Sequence, residues 1–164
     1  MASVPCQNTA KQLCNLRELT ISNNLISDEG LRNLAPLAKL EVLNVQQTQV
    51  TGETLTILSA MNSLRELRLD GCPLSDEGGL MIGHLRSIRW VTLRSPRLKI
   101  LGQIDWPDSL ERVRFEECQL NDEELIRLAN CPNLREILVS STQVTDDGIK
   151  RFRQSRPTVN ISRP

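Results

Sequence analysis

Five cysteines, a single histidine and a recurring pair of acids are the residues of this 164-residue chain whose types could support chemistry. Cys6, Cys14, Cys72, Cys118 and Cys131 fall at no spacing that would gather a zinc ion, so no metal is expected. A nucleophile needs a base within hydrogen-bond reach. His84 follows Gly83 near the end of a helical stretch, and the periodicity of the chain sets no thiol or hydroxyl beside it. It reads as a surface or packing residue. The acids recur as Ser27-Asp28-Glu29, Ser75-Asp76-Glu77, Asn121-Asp122-Glu123 and Thr145-Asp146-Asp147. A capping residue ahead of acids marks a helix start, which is a different job from acid–base catalysis. Gly78 and Gly79 lack the spacing of a phosphate loop. No catalytic residue, no cofactor and no small-molecule substrate are expected, and the chain is not read as an enzyme.

The totals narrow the class further. Lys plus Arg number 20 and Asp plus Glu number 20, so no overall field draws the chain to nucleic acid or to an acidic membrane. Two Trp, two Phe and no Tyr suit a thin core filled by Leu, Ile and Val. No apolar run approaches the roughly 20 residues of a membrane span. The polar stretch Met1 to Gln12 has no apolar segment of the signal-peptide kind, and the five thiols read as reduced. Together these give a cytoplasmic expectation, in a reducing compartment. The isolated sequon Asn160-Ile161-Ser162 carries little weight against it.

What must position any functional side chain is a repeat. Leu16, Leu40, Leu64, Ile88, Leu110 and Leu134 open six copies, spaced 24 residues apart except for one interval of 22. Apolar residues follow at the fourth and sixth places: Leu19 and Ile21, Leu43 and Val45, Leu67 and Leu69, Val91 and Leu93, Val113 and Phe115, Ile137 and Val139. The ninth place holds Asn24, Thr48, Cys72, Pro96, Cys118 and Thr142, and the eleventh is again apolar. Alternation of period two makes a short strand with one buried face. A short polar side chain then bonds the backbone where the chain turns away. Apolar residues at helical spacing, such as Leu31, Leu34 and Leu37 or Leu55, Leu58 and Met61, complete each copy. No copy buries its own apolar face, whereas a stack does.

The pattern resembles the leucine-rich repeat, L-x-x-L-x-L-x-x-(N/C/T)-x-L, over about Leu16 to Ile161. Its 24-residue, helix-bearing form resembles the cysteine-containing and ribonuclease-inhibitor-like branches of that family. The resemblance implies an α/β fold: a right-handed solenoid and horseshoe segment of six repeats, with a parallel sheet on the concave face and helices on the convex face. Residues 16–164 form the repeat domain, and residues 1–15 an extension or cap. Arg156 to Ile161 resembles a closing segment. Cys72 and Cys118 share the ninth place two strands apart, about 10 Å, which is too far for a disulfide.

The register also maps the face that would meet a partner. The third, fifth and seventh places of each strand point away from the core. In the middle repeats they bring Trp90 together with Arg68, Arg94, Arg112 and Arg114, interleaved with Glu66, Asp70 and Glu116. Trp and Arg are the types most enriched in binding hot spots. The bland reading is a face of cross-strand ion pairs, which would leave the large apolar surface of Trp90 unexplained. Repeat four is irregular elsewhere too. Pro96 replaces the polar turn residue, no capping triplet follows, and the copy is two residues short. An extended or irregular outer segment is expected there, with Trp106 filling the space of the missing helix in preference to forming a second contact surface.

The function these features imply is a non-enzymatic protein-interaction module, an adaptor or assembly subunit, holding a macromolecular partner on the concave face. The alternatives are an RNA- or ribonucleoprotein-associated subunit working through the four arginines, or a fragment of a longer repeat protein such as a ubiquitin-ligase substrate receptor. Interleaved acids count against nucleic acid, because phosphate contacts favour an uninterrupted basic stripe.

Overall fold

The computed structural model describes residue 13 and residues 15–163. The proposed extension over residues 1–15, with Cys6 and Cys14, therefore lies almost entirely outside the described residues. Seven strands form one parallel sheet in strict chain order. They are β1 (Glu18–Thr20), β2 (Val42–Asn44), β3 (Glu66–Arg68), β4 (Trp90–Arg94), β5 (Arg112–Glu116), β6 (Glu136–Ser140) and β7 (Asn160–Ser162). Six strands are the six repeats. The seventh is the closing segment, with Asn160 and Ile161 registered on Glu136 and Ile137.

Each strand alternates as its sequence requires. Leu43, Val45, Leu67, Leu69, Val91, Leu93, Phe115, Ile137 and Val139 are fully buried. Burying such a side chain contributes about 1.5–3 kcal/mol. Their counterparts in repeat one, Leu19 and Ile21, are only half-buried, because no described repeat stacks on that side. The far end is closed differently. Arg156 donates to the carbonyls of Ala129 at 2.6 Å and Cys131 at 2.8 Å, and Arg163 reaches Asp146 at 3.0 Å.

On the opposite side, among the described residues, run the short helices α1 (Asp28–Arg32), α2 (Asp76–Met81), α3 (Asp122–Arg127) and α4 (Asp146–Ser155). They begin where the capping residues stand. Ser75 and Thr145 accept from the Gly78 and Gly148 amides, and Asn121 makes a full capping box with Glu124. Repeat two departs from the helical reading of Leu55, Leu58 and Met61, and forms a 3-10 turn over Leu55–Ala60. It has Gly52, at φ +93, where repeats one, three, five and six have Asp. Repeat four has only the 3-10 turn Leu101–Gln103, so its outer segment is irregular as expected. Trp106 turns inward from it and packs edge-to-face on Phe115, with ring centroids 5.8 Å apart. Among the described residues no helix is long and apolar enough to cross a membrane.

The first acid of three of the capping triplets does more than start a helix. Asp28 accepts from the backbone amides of Thr51, Gly52 and Thr54 and from both threonine hydroxyls, all in repeat two. Asp76 accepts from the Lys99 amide at 3.0 Å in repeat four. Asp122 accepts from the Thr145 amide at 2.7 Å and hydroxyl at 2.6 Å in repeat six. Odd repeats thus bind the turn of the next even repeat. At the junction of repeats two and three, where Asp is replaced by Gly52, the Ser75 amide reaches the Thr51 carbonyl instead, at 3.0 Å. That carbonyl would lie 2.0 Å from a Cβ at position 78, so the approach requires Gly78.

Candidate functional site

The register sets Glu66, Trp90, Arg112 and Glu136 side by side across four strands, and places Arg68, Thr92 and Arg114 in the next row. Trp90 is half-buried. The Arg68 guanidinium carbon lies 5.6 Å from its ring centroid and that of Arg112 lies 5.9 Å away. Cations at this range of a Trp ring contribute about 0.5–1 kcal/mol each where exposed.

All four arginines named from the sequence are ion-paired on this surface. Arg68 pairs with Glu66 along its own strand, Arg112 with Glu136 at 3.6 Å, Arg114 with Glu116 at 2.5 Å and Arg94 with Glu117 at 2.7 Å. The hydrogen bond and charge of Glu117 raise the Arg94 pKa. Exposed pairs of this kind contribute about 0–1 kcal/mol. They leave no run of unpaired cations for a phosphate backbone. A groove of about 210 Å³ opens beside the Trp90 ring, between Val42, Arg65, Glu66, Arg89 and Arg112.

The structure brings Trp90, Arg68, Arg112 and Glu66 into one cluster. Arg114 and Glu116 sit one row further along, and Arg94 at the strand's far end. Asp70 is a correction. The sequence puts it on the partner-facing surface, but it is 8% exposed, and its Oδ2 accepts from the Gln46 amide group and the Thr92 hydroxyl. Those two neighbours, one on each adjoining repeat, close over the short aspartate side chain.

The ninth-place residues act on the backbone as their types suggest. Thr48 Oγ1 donates to the Val45 carbonyl at 2.7 Å, Cys72 Sγ to the same carbonyl at 3.1 Å, and Cys118 Sγ to the Leu93 carbonyl at 3.3 Å. Cys72, Cys118 and Cys131 are free and buried, and burial pushes the Cys118 and Cys131 thiols up to about 11. His84 is exposed at the end of the 3-10 turn Ile82–His84, on the side away from the sheet face. Among the described residues no three His, Cys, Asp or Glu side chains are grouped to hold a metal.

Sequence reasoning passed over the rim where the strands end. At the eighth place Asn23, Gln47, Gly71, Glu117 and Ser141 all take positive φ. Ser95 does not, because a residue before proline is pushed toward extended backbone. The Ser95-Pro96 pair was the available signal.

A parallel sheet built one strand per 24-residue copy, with helices and 3-10 turns behind it, gives this chain the architecture of a leucine-rich-repeat solenoid, and its repeats resemble the ribonuclease-inhibitor-like type. A family model described as leucine-rich repeat matches residues 12–35, 60–83 and 130–152. The chain is 28% identical over 155 residues to the ribonuclease inhibitor of Sus scrofa, covering 87% of this chain and 30% of that protein. It thus spans less than a third of the length of that relative. Among solved structures it resembles an internalin of Listeria monocytogenes, with a TM-score of 0.60 and 18% identity over 93% of this chain and 48% of that one. It also resembles a leucine-rich-repeat protein of Leptospira interrogans, with a TM-score of 0.55 and 20% identity over 93% and 50% of the two chains.

Proposed function

We propose that this chain is a non-enzymatic interaction module that holds a protein partner on the exposed face of its sheet, centred on Trp90. The observation that carries the reading is the Trp90 cluster itself. It is a large ring at the middle of the sheet, half-buried, bracketed by Arg68 and Arg112 and opening onto a groove of about 210 Å³. Arg114, Arg94, Glu66 and Glu116 supply a rim of alternating charge suited to a partner that is itself mixed in charge. A relative named for inhibiting an enzyme supports a protein as the partner class. The pairing of Arg68, Arg94, Arg112 and Arg114 with acids weighs against the RNA alternative.

The test is a double substitution, Trp90→Ala with Arg114→Ala, in affinity purification from native extract with the unaltered chain alongside. Circular dichroism should be unchanged, because neither side chain is in the core, while specifically retained proteins should fall at least about tenfold. Equal recovery by both forms would overturn the proposal. Retention of RNA that collapses between low and physiological salt would favour the nucleic-acid reading instead.

A further inference from the structure

The strand-to-helix rim of repeats three and four holds a cleft of about 340 Å³ that shares only Arg94 with the Trp90 face. Its origin is a run of small residues at the eighth place. Gly71 has no side chain and lies under the Gln47 amide, and Ser95 is short and, ahead of Pro96, does not share the positive φ of its counterparts. Gln47 and Glu117 wall the gap on either side, and Pro73 and Pro96 give it an apolar lining.

Two buried side-chain polar atoms lack a hydrogen-bond partner among the described residues, and one of them belongs to a residue that lines this cleft. One is Ser95 Oγ, on a residue that is 1% exposed and lines the cleft. The other is Asp70 Oδ1, in the neighbouring turn. Orphaned polar groups in a folded protein call for an explanation, and a hydroxyl backing a cleft is one a ligand can supply. The charges at the mouth decide which ligand. Arg94 is engaged by Glu117 at 2.7 Å and also feels Asp70, so its charge is answered. Arg97 is exposed on the cleft and makes no ion pair or hydrogen bond among the described residues, leaving one open cation.

We infer that this cleft is a second docking site, taking an acidic side chain presented by an extended segment of a protein partner. The carboxylate accepts from the Arg97 guanidinium and the Ser95 hydroxyl, while the aliphatic stem lies against Pro73 and Pro96. Charge-assisted bonds of this type are the strong ones in recognition. The site is independent of Trp90.

The probe is N-acetyl-glutamate methylamide, titrated into the 15N-labelled chain and followed by amide chemical shifts, with the glutamine and lysine analogues as controls. The expected result is saturable shifts confined to Gly71, Cys72, Ser95 and Arg97 with the glutamate probe. The glutamine analogue should bind about tenfold more weakly. Arg97→Gln should weaken the glutamate probe by a similar factor and Ser95→Ala by several-fold. Lys150→Gln, which removes the same charge elsewhere, and Trp90→Ala should leave it unchanged. Equal binding of the glutamate and glutamine probes, tighter binding of the lysine probe, shifts centred elsewhere, or no shifts would each overturn the inference. Failure here leaves the Trp90 reading standing, and loss of the Trp90 reading leaves this site intact.

Discussion

Asp28 and Thr51 are joined twice across a repeat boundary, with Asp28 Oδ2 accepting from the threonine amide at 2.7 Å and from its hydroxyl at 2.8 Å. The same aspartate takes two more amides through Oδ1, so one carboxylate satisfies the turn of the following repeat. Asp122 and Thr145 repeat the arrangement at the other end of the array. Such links are directional. They tie repeat one to two, three to four and five to six; the Ser75–Thr51 backbone bond beside Gly78 joins two to three, and the Glu124 and Arg127 side chains bonding the Gly102 amide and carbonyl join four to five. The solenoid is therefore held as pairs of repeats along its outer edge, although its sheet is continuous.

Removing these carboxylates should uncouple neighbours. Asp28→Ala leaves three turn amides short of an acceptor and is expected to cost about 2 kcal/mol in denaturant unfolding. Asp28→Asn keeps one oxygen and should cost less. The acid limb gives an independent check. Burial pushes Asp28 up, but the bonds from Thr51 and Thr54 outweigh it and hold its pKa below the usual carboxylate value; the Thr145 bonds do the same for Asp122. A carboxyl that is more acidic folded than unfolded contributes its full stability above the unfolded value. It loses that contribution as pH falls below about 4 and through the folded value. The unaltered chain should lose stability in that window. The variant with both residues changed to Ala should show a shallower acid limb, and an unchanged slope would remove the carboxylates from the account.

The buried thiols make a second prediction. Cys72, Cys118 and Cys131 are all raised by burial, the last two to about 11. At pH 8 a thiol of that kind is about one part in a thousand thiolate, against about a quarter for an unperturbed one. Native-state labelling by a disulfide reagent should therefore modify Cys118 and Cys131 about a hundredfold more slowly than in denaturant, and Cys72 more slowly as well. Non-reducing mass spectrometry should find no link between Cys72 and Cys118. Their contribution runs the opposite way with pH from that of the aspartates: it is present below the unfolded thiol value and is lost as pH rises toward about 11. Rapid native modification of Cys118 or Cys131 would show that the turns are open.

Much of this was legible in the residues. A 24-residue period with alternating apolar places determines strand, face and register, because a one-residue slip would turn Leu43 and Val45 out and Asn44 and Gln46 in. The face reading of Trp90 and its arginines follows from the same parity. Parity alone does not say how deep a side chain sits or what it touches. Asp70 has the parity of an exposed residue, yet Gln46 and Thr92 cover it. Cross-repeat bonds such as Asp28 to Thr51 are similarly hidden, since the local context of Asp28 already satisfies a simpler rule, the acidic helix start. The rim cleft arises from absence, a glycine beside a short serine, which a search for chemical groups passes over.

The two tryptophans separate the face from the core. Trp106 meets Phe115 edge-to-face at 5.8 Å on the side where repeat four has lost its helix, and it packs against the buried cluster with Leu101 and Ile104. Trp106→Ala removes that contact and leaves a hollow that short neighbours cannot refill, so it should destabilise by about 3 kcal/mol. Trp90→Ala removes a ring whose contacts are two solvent-facing guanidiniums, and should cost no more than about 1 kcal/mol. The measurement is chemical unfolding of both variants by circular dichroism. If Trp106→Ala were nearly neutral, its ring would be a surface feature and the irregular outer segment of repeat four a contact surface. If Trp90→Ala were the costlier change, Trp90 would be structural and the binding reading of the sheet face would lose its anchor.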